Sequence, residues 1–366
     1  ATLSNALQHG ANPGMVFTQP SPYAGMPVLG VLCIFQRWDA AALILQAEGS
    51  LHFTPPAVGQ VLGKYAGSGT WPALHWLLSD PMDGEQSGML MAWELPALTL
   101  LLQHRADPNE HHRGISPLRL AIQSHAPAPS LQLVDLLLNG RANPDADEPL
   151  DGGRPLGCAA ERGQVDVVRR LLDAGAAIDH APAWGAKIRA KWANANRAQA
   201  AMQTASALFA ACCSASLSVV ELLLERRANH SISLCDGYTP LDIAVERDYV
   251  SIVVALLAGG AHIMQSSKRL DERGRVETWE HSALFVAAKH GATNAARVLL
   301  GAKASPSLDS LDSRTHPDPL MVAARHGSEG VASILIEAGA AMHQTADDFV
   351  CDCGDGDGDG DGDGAG

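Results

Sequence analysis

One spacing recurs along most of the chain and constrains it more than any other feature. A leucine follows each short helix-start signal, at Leu29, Leu74, Leu118, Leu156, Leu208, Leu241, Leu284 and Leu320. Sixteen residues beyond Leu29, Leu156, Leu208, Leu241 and Leu284 stand Leu45, Leu172, Leu224, Leu257 and Leu300, and Ile336 stands at the same distance from Leu320. In the other two units the spacing stretches to Leu102 and Leu138. Alanine holds the third place after the marker at Ala121, Ala159, Ala211, Ala244, Ala287 and Ala323. Such a period describes a row of similar units, each too small to bury both of its faces. The units must therefore stack.

Each unit reads as two short helices. The first opens at Ser116-Pro117, Ser206-Ala207, Thr239-Pro240, Ser282-Ala283 or Asp318-Pro319. A side-chain oxygen there accepts from a free N–H of the first turn, and proline at the first helical position loses no needed donor. Gly163, Gly291 and Gly327 end the first helix seven residues after the marker. The second helix carries an apolar face, as in Val167, Val168, Leu171 and Leu172, and closes at Gly175, Gly260 or Gly339. Small alanines on the first helix let neighbouring helices approach closely.

At this level the chain resembles the ankyrin-repeat family. Thr239-Pro240-Leu241-Asp242-Ile243-Ala244 matches that family's opening signature, with Asp242 in place of the usual histidine, while Ala73-Leu74-His75 keeps the histidine. The resemblance implies an all-α solenoid of about eight helix-turn-helix units over residues 1–343, preceded by half a repeat at Ala6–Pro13, and it makes His75 a helix-start hydrogen bonder. Units within 206–343 follow the pattern most closely and residues 1–110 diverge most, with Leu32 and Leu77 where alanine is expected. Marker-to-marker steps run from 33 to 52 residues, against about 33 for the family. The surplus falls in an insertion at 180–205 and a finger at 262–281.

Composition excludes several other classes. Formal charge is −14, but residues 347–366 hold eight aspartates and no Lys or Arg, so residues 1–346 carry only −6. An acidic balance argues against a broad nucleic-acid or anionic-membrane surface. Seven cysteines are too few for a disulfide scaffold and fit a reducing, intracellular setting, cytoplasmic or nuclear. The most apolar stretch, Met89 to Leu102, is short and broken by Glu94 and Pro96, so no membrane span is expected.

Catalytic patterns are missing from the sequence: no phosphate loop, no nucleophile elbow and no His-Glu-x-x-His. A non-enzymatic chain without cofactor, metal or small-molecule substrate is expected. His290 and His326 precede helix-ending glycines and read as structural. His111-His112-Arg113 reads as a solvated loop tip, with partner contact second. In the tail, Asp355, Asp357 and Asp359 match the first half of a calcium loop, but Gly366 stands where the loop needs Glu. Residues 344–366 are expected to be disordered.

By its family resemblance the expected function is non-covalent binding of one or more partner proteins through the concave and finger face. Candidate contacts are His112, Arg113, Tyr238, Arg273 and Trp279, with Lys187, Arg189 and Trp192 of the basic insertion. That insertion has no acid from His180 to Ser218. Trp192 folding back on its own solenoid is the favoured reading, and docking to an acidic partner the other. The finger has mixed charges around Gly274, the composition of an extended hairpin. The rival reading makes these repeats the regulatory part of a larger enzyme, channel or ubiquitin-ligase adaptor.

Overall fold

The computed structural model describes residues 32, 39–42, 52–53, 71–78, 94–112, 114–123, 131–146, 154–179, 206–232, 238–270, 276–306 and 318–340. Seven helix pairs run through them. These are α1 (Ala73–Leu78) with α2 (Glu94–Gln103), α3 (Pro117–Gln123) with α4 (Leu131–Asn139), and α5 (Pro155–Glu161) with α6 (Val165–Asp173). Then come α7 (Ala207–Cys213) with α8 (Leu217–Glu225), and α9 (Pro240–Glu246) with α10 (Val250–Ala258). The last two are α11 (Ala283–His290) with α12 (Thr293–Gly301), and α13 (Pro319–Arg325) with α14 (Glu329–Glu337). Two short strands, β1 (His52–Phe53) and β2 (Trp71–Pro72), pair antiparallel. β3 (Met264–Leu270) and β4 (Val276–Ser282) form a longer hairpin between α10 and α11. The half repeat at Ala6–Pro13, the insertion 180–205 and the tail 344–366 lie outside the described residues.

The pairs form one continuous two-layer stack. Each first helix packs on the next first helix, from α1 through α13, and each second helix on the next second helix, from α2 through α14. The result is an all-α repeat solenoid carrying a β-hairpin. The six marker alanines Ala121, Ala159, Ala211, Ala244, Ala287 and Ala323 are wholly buried between successive first helices. Markers Leu74, Leu118, Leu156, Leu208, Leu241 and Leu284 are buried as well. Leu320 is only half-buried and Ile336 is 47% exposed. Both belong to the last described pair, which has a neighbour on one side only among the described residues.

Helix ends follow from their residues. Ser206 and Ser282 each accept from the backbone N–H three residues on, and Ser116 accepts from that of Arg119. Asp318 accepts from Leu320 N–H. At α9 the cap is reciprocal. Thr239 N–H and Oγ1 both donate to Asp242 Oδ2, at 2.9 and 2.7 Å, while Asp242 N–H donates to Thr239 Oγ1 at 3.3 Å. Asp242 thus departs from the family signature without loss of a cap, because an acid three residues in closes a capping box. Both residues are buried, so Thr239→Ala strips a carboxylate of a hydroxyl donor and a helix of its cap. A loss of about 1–2 kcal/mol is expected, with most of it recovered by Thr239→Ser. Urea unfolding midpoints check both variants.

The helix-ending glycines are needed for their backbone. Gly291 closes α11 at φ 71°, and Gly175 follows α6 at φ 90°, where a Cβ is disfavoured. Arg105, Arg141, Arg227 and Lys303 take the left-handed conformation at the corresponding turn of other units.

Candidate partner-binding surface

Side chains tie successive turns to one another on the edge where the second helices end. Asn109 Oδ1 accepts from Asn143 N–H of the next unit at 2.6 Å, Asp145 Oδ1 from Ala177 N–H at 3.0 Å, and Asp179 Oδ1 from Asn229 N–H at 2.7 Å. The three acceptors share one register, three residues after the buried Ala106, Ala142 and Ala176. Reading the sequence for its leucines passes over this ladder, although the spacing Ala-x-x-Asn/Asp was there to find it. On the second-helix layer Arg170 pairs with Asp135 at 3.4 Å and Arg226 with Asp173 at 2.9 Å, again between units. These exposed pairs add little each.

A second link is buried. His75 in α1 places Nε2 2.8 Å from the Ile115 carbonyl and 3.1 Å from His112 N. A protonated Nε2 donates to the carbonyl, and an unprotonated one accepts from the amide. The two imidazoles meet edge-on with centroids 5.6 Å apart. Burial holds the His75 pKa down to about 4, against the opposing bond to Ile115, with the neighbouring His112 adding to the depression. His75 thus bonds to the loop that opens the next unit.

The candidate contacts are spread across different parts of this frame. His112 is half-buried, its backbone engaged with His75 and bridged to Ile115. Tyr238 is half-buried against the core, one residue before the capping Thr239. Trp279 stands in β4 opposite Ser267, two places from the pairing of Arg269 with Glu277. Arg113, Lys187, Arg189, Trp192 and Arg273 lie outside the described residues. Tyr238 precedes α9 and the hairpin follows α10 in the sequence, and β4 contacts α11.

Little in the described residues suits catalysis. Burial raises the thiol of Cys212 well above its usual range and that of Cys213 to about 11, so neither is a thiolate at neutral pH. No group of three or more His, Cys, Asp or Glu side chains that could hold a metal occurs among the described residues. A shallow depression of about 400 Å³ on α2 is lined by Leu95, Pro96, Thr99, Leu100 and Gln103, without a converging charged group. No described helix is long and apolar enough to cross a membrane.

Comparison with known proteins agrees with this architecture. A family model described as ankyrin repeats in three copies matches residues 89–181, 188–267 and 266–346, well over half of the chain. Cyclin-dependent kinase 4 inhibitor B of Rattus norvegicus is 32% identical over 106 residues, covering 28% of this chain and 78% of that protein. The Mus musculus protein of the same name is 36% identical over 86 residues, covering 23% of this chain and 62% of that protein. Among solved structures, the human ASB11 ankyrin repeat domain aligns at 24% identity and TM-score 0.48, covering 64% of this chain and 89% of that one. The ankyrin repeat domain of Bcl-3 aligns at 26% identity with TM-score 0.48, covering 66% and 93%. The chain belongs to the ankyrin-repeat family.

Proposed function

We propose that this chain is a non-enzymatic scaffold that captures partner proteins on the concave and finger face of its repeat stack. The observation that carries the reading is the division of labour within each unit. Leucines and alanines of the described pairs are spent on neighbouring units, while the β3–β4 hairpin stands between α10 and α11 in chain order as seven paired residues a side. A surface held by packed helices on both sides is ordered before it meets a partner, so little conformational entropy is lost on binding. Two free, buried thiols, Cys158 and Cys212, fit a reducing intracellular setting.

The rat and mouse relatives are named as inhibitors of a kinase, and one protein acting on another is the class of action proposed for this chain. Within the proposed face, Tyr238, Arg273 and Trp279 are the contact residues, with Arg113 a further contact and Lys187, Arg189 and Trp192 a second element for an acidic partner. His112 contributes through its backbone N–H, which donates to His75 of α1. The test is a photo-crosslinking residue placed at 273 or, as the outer-face control, at the exposed Val254. Protein adducts from 273 and none from 254 are expected. Adducts from 254 alone would move the binding face to the second helices.

A further inference from the structure

The ladder of side chains between turns changes character after Asn229. At the register of Asn109, Asp145 and Asp179 the next turn has Ser231. Its hydroxyl lies 3.2 Å from Nδ1 of the neighbouring His230. The turn one unit further on, after α10, carries His262 directly behind Ala261. The two rings meet across the junction with centroids 5.9 Å apart and planes at 73°. His230 is half-buried and His262 exposed.

Each nitrogen of His230 has a distinct setting. With Nδ1–H donating to Ser231 Oγ, the lone pair is left on Nε2, the arrangement usual in metal-binding imidazoles. Nε2 faces the following turn, since a Cβ added to Gly260 would stand 3.7 Å from it. Gly260 itself has φ 91° and carries no side chain into this space. Two imidazoles on one tetrahedral ion at the usual bond length hold their ring centres roughly 5 Å apart. The observed separation of 5.9 Å is within about 1 Å of that value.

We propose that His230 and His262 form a two-histidine site for a borderline divalent transition ion of the Zn²⁺, Ni²⁺ or Cu²⁺ class, which staples the turn after α8 to the turn after α10. Imidazole nitrogen suits these ions and not Ca²⁺ or Mg²⁺. The two histidines supply two ligands, and water completes the shell. The ion takes over, between these two units, the linking role that Asp145 and Asp179 fill at earlier junctions. This inference does not depend on which face of the stack meets a partner.

The experiment is a Zn²⁺ titration of the full chain, followed through the imidazole resonances of all histidines by two-dimensional NMR. His230 and His262 are expected to move together along one binding curve, and Mg²⁺ to move neither. His262→Ala should weaken the response of His230 at least tenfold, and His230→Ala should do the same to His262. His262→Asn serves beside the alanine variant, with circular dichroism confirming that the helices remain. Separate curves for the two rings, an unchanged His230 curve in both His262 variants, or no response of either ring would each overturn the site.

Discussion

Replacing Leu241 by alanine should lower the unfolding free energy by about 2–5 kcal/mol and split a single unfolding transition into two. The first part follows from where the side chain sits. Leu241 is 1% exposed in α9, which packs against α7, α10 and α11, so truncation leaves a cavity with well-packed walls. The second part follows from the repeat architecture. Each unit contacts only its neighbours, so a weak unit in the middle uncouples the two flanks of the stack. Leu320→Ala is the control: the same marker position, half-buried in the last described pair, should cost clearly less and leave one transition. Urea unfolding followed by circular dichroism and by hydrogen exchange separates these outcomes. Equal losses for the two variants would contradict the packing account.

Acid should loosen the junction between the first two described pairs through one residue. His75 ordinarily would titrate near 6.5, and its folded pKa is about 4. Between these values the unfolded chain binds a proton that the folded chain does not, so stability falls as pH falls. It is full above about 6.5 and drops by roughly 1.4 kcal/mol per pH unit down to about 4, in all about 3 kcal/mol. His75→Gln removes the titrating group. Carboxylates titrate in the same window, so the readout is the difference between the two proteins rather than either slope alone. Urea midpoints at a series of pH values should show the native chain losing more than the variant between neutrality and pH 4. Parallel curves would mean that the His75 ring is hydrated in the folded state.

The repeat was legible because its packing rule is local. A residue wedged between successive first helices is chosen by packing whatever its unit binds, and Ala121, Ala159, Ala211, Ala244, Ala287 and Ala323 are all wholly buried, with Leu77 buried at the same place in α1. Caps were equally readable, since Ser206, Thr239, Ser282 and Asp318 act within three residues of themselves. The sixteen-residue spacing, by contrast, picked out the shallower of two adjacent apolar residues. Leu171, Leu223, Leu256 and Leu299 are wholly buried, and their followers Leu172, Leu224, Leu257 and Leu300 only half. A helical period alone places both near the interface, and only the neighbouring helix decides which is deeper.

Contacts between units were less legible. His75 finds its partner forty residues away at Ile115, and the Asn109, Asp145 and Asp179 rungs each close across more than thirty. Nothing in the local pattern of either partner announces the other. The candidate contacts show the same limit, because a binding residue is one that internal packing leaves unexplained. His112 looked like a loop tip in the sequence, and a buried imidazole from another unit engages its backbone.

The central claim, that the finger face captures protein, is tested most directly by paired affinity capture of three full-length chains. These are the native protein, Tyr238→Ala with Trp279→Ala, and an outer-face variant, Val254→Asp, all first shown to unfold at matched urea midpoints. The account predicts that partners held by the native chain and by the Val254 variant are lost from the Tyr238/Trp279 double variant. Partners kept by the double variant and lost from the Val254 variant would contradict it.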